Sequence, residues 1–420
     1  MTQIKYNVKV MNDLIILTIV IIFLGVLIRF KVNIGIAIFL SAIILSLLKG
    51  FSLVHILISL YNSSISYDAV NMILIVTAAT IFADLLKESS FLLEIVNSFS
   101  RVFRPKIFIP AFSLIIGALY MPGGALVSAP LVEEGSKDTT LVSHEKVVIN
   151  FWFRHVWEPI SPLFPEVVLS ASLINVPLSF IIKTQWPITL SMFFAGVIFI
   201  LPSVKENGFT KTVATSSDYI RLIKSTFPIL LVISLVFVFR TLSVALAILV
   251  GIVYVIIIKK ISLSRIFKMI RVATLLNYVF LMIAIFFLKY VSIESNLIKG
   301  IYDAFVLYKI PYQFPLFFLP FIVGLMTGIS SAAIGLSYPL LLPLMQNAQG
   351  KINPAHLFMA YLGVWTALSI TPTHLCLSLS VDFFKAKIVD TYKFLYKNIL
   401  FVLFLSIIWI IVLAYFKINF

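Results

Sequence analysis

The sequence predicts an all-α polytopic membrane protein built from two inverted-topology repeats, each with about five transmembrane crossings, one re-entrant hairpin and one discontinuous helix. Three observations carry that expectation. The first is composition: 61% of the 420 residues are apolar and 12% are charged, with a mean hydropathy of +1.10, where a soluble domain carries roughly 25% charge. A water-soluble core cannot hide that excess, because even a large domain must present polar surface to solvent. An ordinary soluble enzyme, a disordered chain and a coiled coil are excluded. The second is the recurrence of apolar runs close to the roughly 20 residues that a bilayer helix requires. The third is a self-similarity between the two halves.

Taken in order, the apolar runs fall at about 14–28, 34–48, 69–86, 147–182, 187–203, 226–239, 241–258, 272–290, 354–380 and 398–416, about ten crossings in all. Lys5 and Lys9 before the first run imitate a secretory leader, but no small-residue cleavage site follows, so this run is expected to be retained as a span. Segments 88–104 and 291–312 mix charges with Phe, Leu and Ile and read as amphipathic helices at the interface. Two further apolar segments, about 106–132 and 313–345, are broken by Met121-Pro122-Gly123-Gly124 and Gly328-Ile329-Ser330-Ser331. Irregular backbone at membrane depth is tolerated only against protein or a water-filled cavity, so both read as re-entrant hairpins with inward tips.

At an offset of about 208 residues, Val156-Trp157-Glu158-Pro159-Ile160-Ser161 lines up with Val364-Trp365-Thr366-Ala367-Leu368-Ser369, and the two hairpins fall in register. An odd number of crossings per copy inserts the second copy upside down, which is a transporter architecture. The expected division is 1–210 (hairpin about 106–132, broken helix about 147–182) and 211–420 (hairpin about 313–345, broken helix about 354–380), joined by the polar link 204–225. The net charge of +15 is scattered between apolar runs, which argues against nucleic acid and for membrane orientation. Lys and Arg divide about two to one between the faces, so by the positive-inside bias both termini lie outside the cell membrane.

The stretch from Asn150 to Glu166 concentrates the chemistry. A helix starting near Glu145 places Glu158 about 18 Å along its axis, near the midplane, where Pro159, Pro162 and Pro165 break it. The break frees carbonyls and exposes the positive end of the next half-helix, an anion site. Arg154 is four residues before Glu158 and His155 three, so both can reach it. The spacing allows either a bridge that only neutralises the two charges or a functional set, with Arg154 as the solute anchor and Glu158 with His155 as the proton-coupling groups. In the second half, Thr366, Ser369, Thr371 and Thr373 surround the equivalent break, where hydroxyls can serve a solute or a sodium ion or merely cap helix ends. Pro122, Gly123 and Gly124, with Ser128 behind them, let backbone N–H groups approach a ligand at the first tip; Ser330 and Ser331 do so at the second.

No nucleotide-binding Gly-rich loop, His-Glu-x-x-His, Gly-x-Ser-x-Gly or Cys pair occurs, and the five histidines are spread out, so neither a cofactor nor a metal site is expected. Cys376 is the one cysteine, which excludes an internal disulfide.

At Met121-Pro122-Gly123-Gly124-Ala125-Leu126-Val127-Ser128-Ala129-Pro130 and the following His144–Pro165 stretch, the chain resembles an uncharacterised family of prokaryotic integral membrane proteins of about ten spans. That family is similar to the ion transporter superfamily of gluconate, citrate and dicarboxylate permeases. The resemblance implies secondary transport of a small anion between hairpin tips and broken helices, commonly by an elevator movement. The Ser-Asn-Thr signatures of the sodium-dicarboxylate branch are absent from both tips. The expected function is therefore an ion- or proton-coupled secondary transporter of a small, organic acid-like anion, with membrane lipid as its surroundings and homodimerisation left open. The alternative is an intramembrane enzyme acting on a lipid-linked substrate through His155 and Glu158.

Overall fold

The computed structural model describes residues 2–121, 124–207, 214–239, 243–262, 264, 266, 268, 272–347 and 349–416. The described residues are helical throughout their regular elements, with two isolated antiparallel bridges, Thr139 to Glu206 and Gln346 to Ile352. In chain order the helices of the first half are α1 (Thr2–Arg29), α2 (Ile34–Leu48), α3 (Leu53–Ser64), α4 (Tyr67–Glu88), α5 (Phe91–Val102), α6 (Pro105–Ile116), α7 (Ala125–Gly135), α8 (Ser143–Arg154), α9 (Pro165–Ile174) and α10 (Leu178–Ala195). A π-helical turn and a 3-10 turn extend α10 to Ser203. The second half comprises α11 (Ser216–Val238), α12 (Val244–Lys259), α13 (Val272–Glu294), α14 (Leu297–Leu307), α15 (Gln313–Thr327), α16 (Ser330–Met345), α17 (Pro354–Ile370), α18 (Leu375–Phe383) and α19 (Ile388–Tyr415).

Seven helical segments among the described residues are long and apolar enough to cross a membrane: Val10–Arg29, Tyr67–Glu88, Leu178–Ser203, Ser216–Val238, Thr274–Glu294, Pro354–Phe383 and Ile388–Tyr415. The shorter apolar helices α2 and α12, together with the broken pair α8–α9, account for the remaining segments anticipated as crossings. The chain is a polytopic, all-α membrane protein. Local chemistry starts many of these helices. Ser52, Ser66, Ser243 and Asn353 each accept an N–H of the first turn, and Thr215 with Asp218 forms a capping box on α11. Such caps satisfy donors that the helix cannot satisfy itself.

Some boundaries differ from the sequence reading. The run 147–182 contains α8, an irregular linker, α9 and the start of α10, because Asn175 turns left-handed at φ 54 and Pro177 opens the next helix. The span placed at 187–203 therefore begins at Leu178. Helix α3 was not anticipated; its serine cap and half-apolar face resemble a loop in sequence. The polar link between the halves crosses residues 208–213, which lie outside the described residues, as do the tip residues Pro122 and Gly123.

The hairpins and broken helices form the buried centre. Every residue of α8 from Val147 to Arg154 is buried, as are nearly all of α9, α16 and α17. Hairpin α6–α7 packs on α8, and hairpin α15–α16 packs on α17. The arms also cross between halves: α7 lies on α18, α16 on α9, α8 on α19 and α10 on α17. Around this centre, α2 packs on α13 and α4 on α12, α1 on α14 and α11 on α5. Ion pairs tie the outer helices, including Lys49 to Asp13 at 2.5 Å and Lys259 to Glu94 at 2.7 Å. Across the centre, Trp152 and Trp365 meet edge to face at 6.2 Å, as do Trp186 and Trp409 at 5.7 Å.

Candidate functional site

The two discontinuous helices bring the chemistry-bearing residues together. Helix α8 ends at Arg154, and residues 155–164 form an irregular linker before α9. This corrects the expectation of a helix continuing to Glu158. Pro159 has no N–H to offer the carbonyl four residues back, and it disfavours helical backbone at the preceding Glu158, so the helix stops a turn earlier. Arg154 and Glu158 consequently do not share a helical face, and no ion pair joins them. In the second half the corresponding interruption is shorter, residues 371–374 between α17 and α18.

Each interruption is gripped by a hairpin tip. Gly117, at the end of α6, lies so close to the backbone of Arg154 that any Cβ there would overlap it. A Cβ at Gly124 would meet the Arg154 guanidinium. In the second half Gly328, at φ +67, lies against the backbone of Thr373. The hydroxyl of Thr371 donates to the carbonyl of Leu325 at 2.8 Å and lies 2.8 Å from that of Thr373.

Arg154 is 4% exposed. Its Nη2 donates to the Met121 carbonyl at 2.7 Å, while Nε and Nη1 have no hydrogen-bond partner among the described residues. The guanidinium thus stands beside Gly124, which opens α7 with no side chain capping its end. A guanidinium and a helix N-terminus both favour an anion. Glu158 is buried and accepts a hydrogen bond from the hydroxyl of Ser330, the first residue of α16. Glu166, also buried, is its neighbour, and two neighbouring buried carboxyl groups do not both carry their negative charge without a large cost. The two tips are therefore occupied unequally. The chain's own Glu158 carboxyl group sits against the Ser330 side chain that opens α16, and no acidic side chain among the described residues is hydrogen-bonded at the start of α7.

The remaining sequence candidates divide. His155 does not turn to Glu158. Its Nδ1 lies 2.6 Å from the Phe151 carbonyl, and its Nε2 lies 3.0 Å from Nε2 of His374. Thr366 and Ser369 donate to the carbonyls four residues back, Leu362 and Trp365, and Ser128 does the same to Gly124; these are the local backbone bonds such residues make in helices. Ser331 is buried on α16. Sequence reasoning missed His374, Cys376 and Glu166 as members of the cluster, and Asn150 as its brace. Asn150 is fully buried and donates to the Ala125 carbonyl at 3.1 Å and to Ser380 at 2.8 Å, while accepting from Ser113 at 3.3 Å. One amide thus locks both arms of the first hairpin to α18. A polar residue inside an apolar run, next to the break, was the available signal.

The fold is similar to that of the YdaH transporter of Alcanivorax borkumensis, whose crystal structure was described as having an unusual topology. The TM-score is 0.58 at 17% sequence identity, over 81% of this chain and 85% of that one. No curated protein sequence matches the chain. The family model described as a protein of unknown function, DUF401, matches residues 10–415, and the chain belongs to that family.

Proposed function

We propose that this protein is a secondary transporter of a small anionic solute, working by alternating access between two inverted repeats, residues 1–210 and 211–420, with both termini outside. The observation that carries the reading is Arg154, a buried guanidinium two of whose nitrogens have no hydrogen-bond partner among the described residues, at the uncapped end of α7. An ionised group at membrane depth costs several kcal/mol unless it is paired or hydrated, so a solute carboxylate or phosphate is the partner this geometry favours. The fold's similarity to a protein described as a transporter, and the sequence resemblance to anion permeases, support the same reading. The tip residues Pro122, Gly123 and Gly124 would contribute backbone N–H groups, and the second-half hydroxyls of Ser331, Thr366, Ser369, Thr371 and Thr373 would line the far side.

Glu158, held by Ser330 and facing Glu166, is the proposed seat of the coupling cation, a proton or a sodium ion. In this reading the Glu158→Gln variant binds solute but no longer concentrates it. His155 directs Nδ1 at the Phe151 carbonyl and Nε2 at His374, away from Glu158, so the acid–base pair that the intramembrane enzyme alternative needs is not assembled.

The test starts with purified protein melted in the presence of gluconate, citrate, succinate or phosphate, with and without sodium. A ligand of the folded state at 100 times its Kd adds about 2.7 kcal/mol of stability. The stabilising anion is then followed, radiolabelled, into proteoliposomes under an inward proton or sodium gradient. Arg154→Ala is expected to insert normally, lose the anion-dependent rise in melting temperature and abolish uptake. Uptake by that variant at the wild-type rate refutes the reading.

A further inference from the structure

The contact between His155 and His374 poses a problem that hydrogen bonding within the chain does not solve. Each ring directs Nδ1 at a backbone carbonyl, His155 at Phe151 (2.6 Å) and His374 at Gly328 (2.9 Å). Carbonyl oxygens only accept, so Nδ1 carries the hydrogen in both rings, and in a neutral imidazole the other nitrogen is then a bare lone pair. The two Nε2 lone pairs point at each other across 3.0 Å. Cys376 lies beside the two rings, and one ligand atom from each of the three residues falls within 4.8 Å of the others. Three electron-pair donors converge on one point with no donor hydrogen required by the surrounding chain.

We propose that His155 Nε2, His374 Nε2 and Cys376 Sγ form a binding site for a thiophilic d10 cation, zinc(II) or copper(I). Two imidazoles and a thiolate suit both ions. An N–N separation near 3 Å is about what two nitrogens on one zinc span at bond lengths of about 2.0 Å and a tetrahedral angle. Hydrogen-bonding each Nδ1 to a carbonyl fixes the tautomer and aims the ring, the support that metal-bound histidines ordinarily have. All three side chains are buried, while Pro372 and Thr373 beside them are exposed and leave a short way in. A small cavity bordered by His155, Glu158, Trp365, Ser369 and His374 has about 10 Å³ of free volume, room for about one water as a fourth ligand. Charge is compatible: Arg154 bears on the Cys376 side and Glu158 on the His374 side, and these offset one another. The ion would pin the linker after α8 to the start of α18, one ligand from the first half and two from the second. None of the three ligands is assigned to the solute, so substitutions at Cys376 and His374 test this site and Arg154→Ala tests the anion seat separately.

The test uses the full-length protein, stripped with chelator and titrated with cobalt(II) as a spectroscopic stand-in for zinc, and separately with copper(I) against a competing chromophoric chelator. One equivalent per chain is expected. Cobalt should give tetrahedral d–d bands with a thiolate-to-metal charge-transfer band. Cys376→Ser, close to the native side chain in size, should remove the charge-transfer band, and His374→Ala should weaken binding at least tenfold. X-ray absorption of the zinc- or copper-loaded wild type, which depends on no variant, should show one sulfur and two nitrogen neighbours. Tighter retention of copper(I) or of cobalt(II) tells which ion the site prefers. Absence of saturable binding of both metals, or binding unchanged by both substitutions, overturns the proposal and leaves a shared proton between the two rings.

Discussion

At the residue scale, the site depends on side chains that are absent as much as on those present. Gly124 and Gly117 let the first hairpin tip close on Arg154 without a Cβ in the way. Gly124→Ala would place a methyl against the guanidinium, and in the anion-stabilisation assay it is expected to raise the Kd at least tenfold while the protein still purifies as a folded species. Asn150 plays the complementary part, with three buried polar contacts from one amide. Asn150→Leu leaves Ser113 and the Ala125 carbonyl without that partner, and each unsatisfied buried group costs about 1–3 kcal/mol. A lower melting temperature in detergent is expected; a melting curve identical to wild type would show that Asn150 braces nothing. Arg154, Glu158 and Ser330 could be picked out from sequence because an ionisable or hydroxyl residue in an apolar run beside a proline or glycine break stands out. His374 and Cys376 could not. Their partner His155 is more than 200 positions away, and only the crossing of the two broken helices brings the three together.

At the element scale, each discontinuous helix is held by a hairpin tip, by different means in the two halves. In the second half Gly328 takes a left-handed conformation against Thr373, and Thr371 donates to Leu325. Left-handed backbone costs a residue with a Cβ about 1–2 kcal/mol, and the overlap with Thr373 adds to it, so Gly328→Ala should destabilise by at least that much in thermal unfolding. Thr371→Val removes one hydrogen bond, worth about 1 kcal/mol; equal stability of both variants with wild type would contradict the clasp. Apolar run length gave the existence of the long helices, since hydrophobic span is what the bilayer selects. It gave their ends poorly around 147–182, where one unbroken apolar stretch hides two half-helices and the start of a third. Proline positions marked the break but not its first residue, because a proline disturbs the turn before it as well as its own.

At the scale of the whole molecule, several landmarks have counterparts in both halves: the left-handed residues Asn175 and Lys385 follow α9 and α18, and Ser90 and Asn296 separate α4 from α5 and α13 from α14. The sequence offset came from Trp157 and Trp365, which do not occupy matching places. Trp365 lies on α17 and packs on Trp152, while Trp157 belongs to the linker. The proposed repeat therefore rests on its breaks more than on residue register, because the two interruptions differ in length. The proposed arrangement places the first hairpin's base on the cytoplasmic side and the second's outside.

That arrangement is the core of the account, and it can be read directly. Lys137 and Lys351, both exposed in the loops that follow the two hairpins, are each replaced by cysteine, with the wild-type chain and its one buried cysteine, Cys376, setting the labelling background. Intact cells are then treated with a membrane-impermeant thiol reagent. Labelling of Lys351→Cys from outside, and of Lys137→Cys only after the membrane is opened, is the predicted result. Equal labelling of both positions from one side would contradict inverted repeats and the alternating-access transporter built on them.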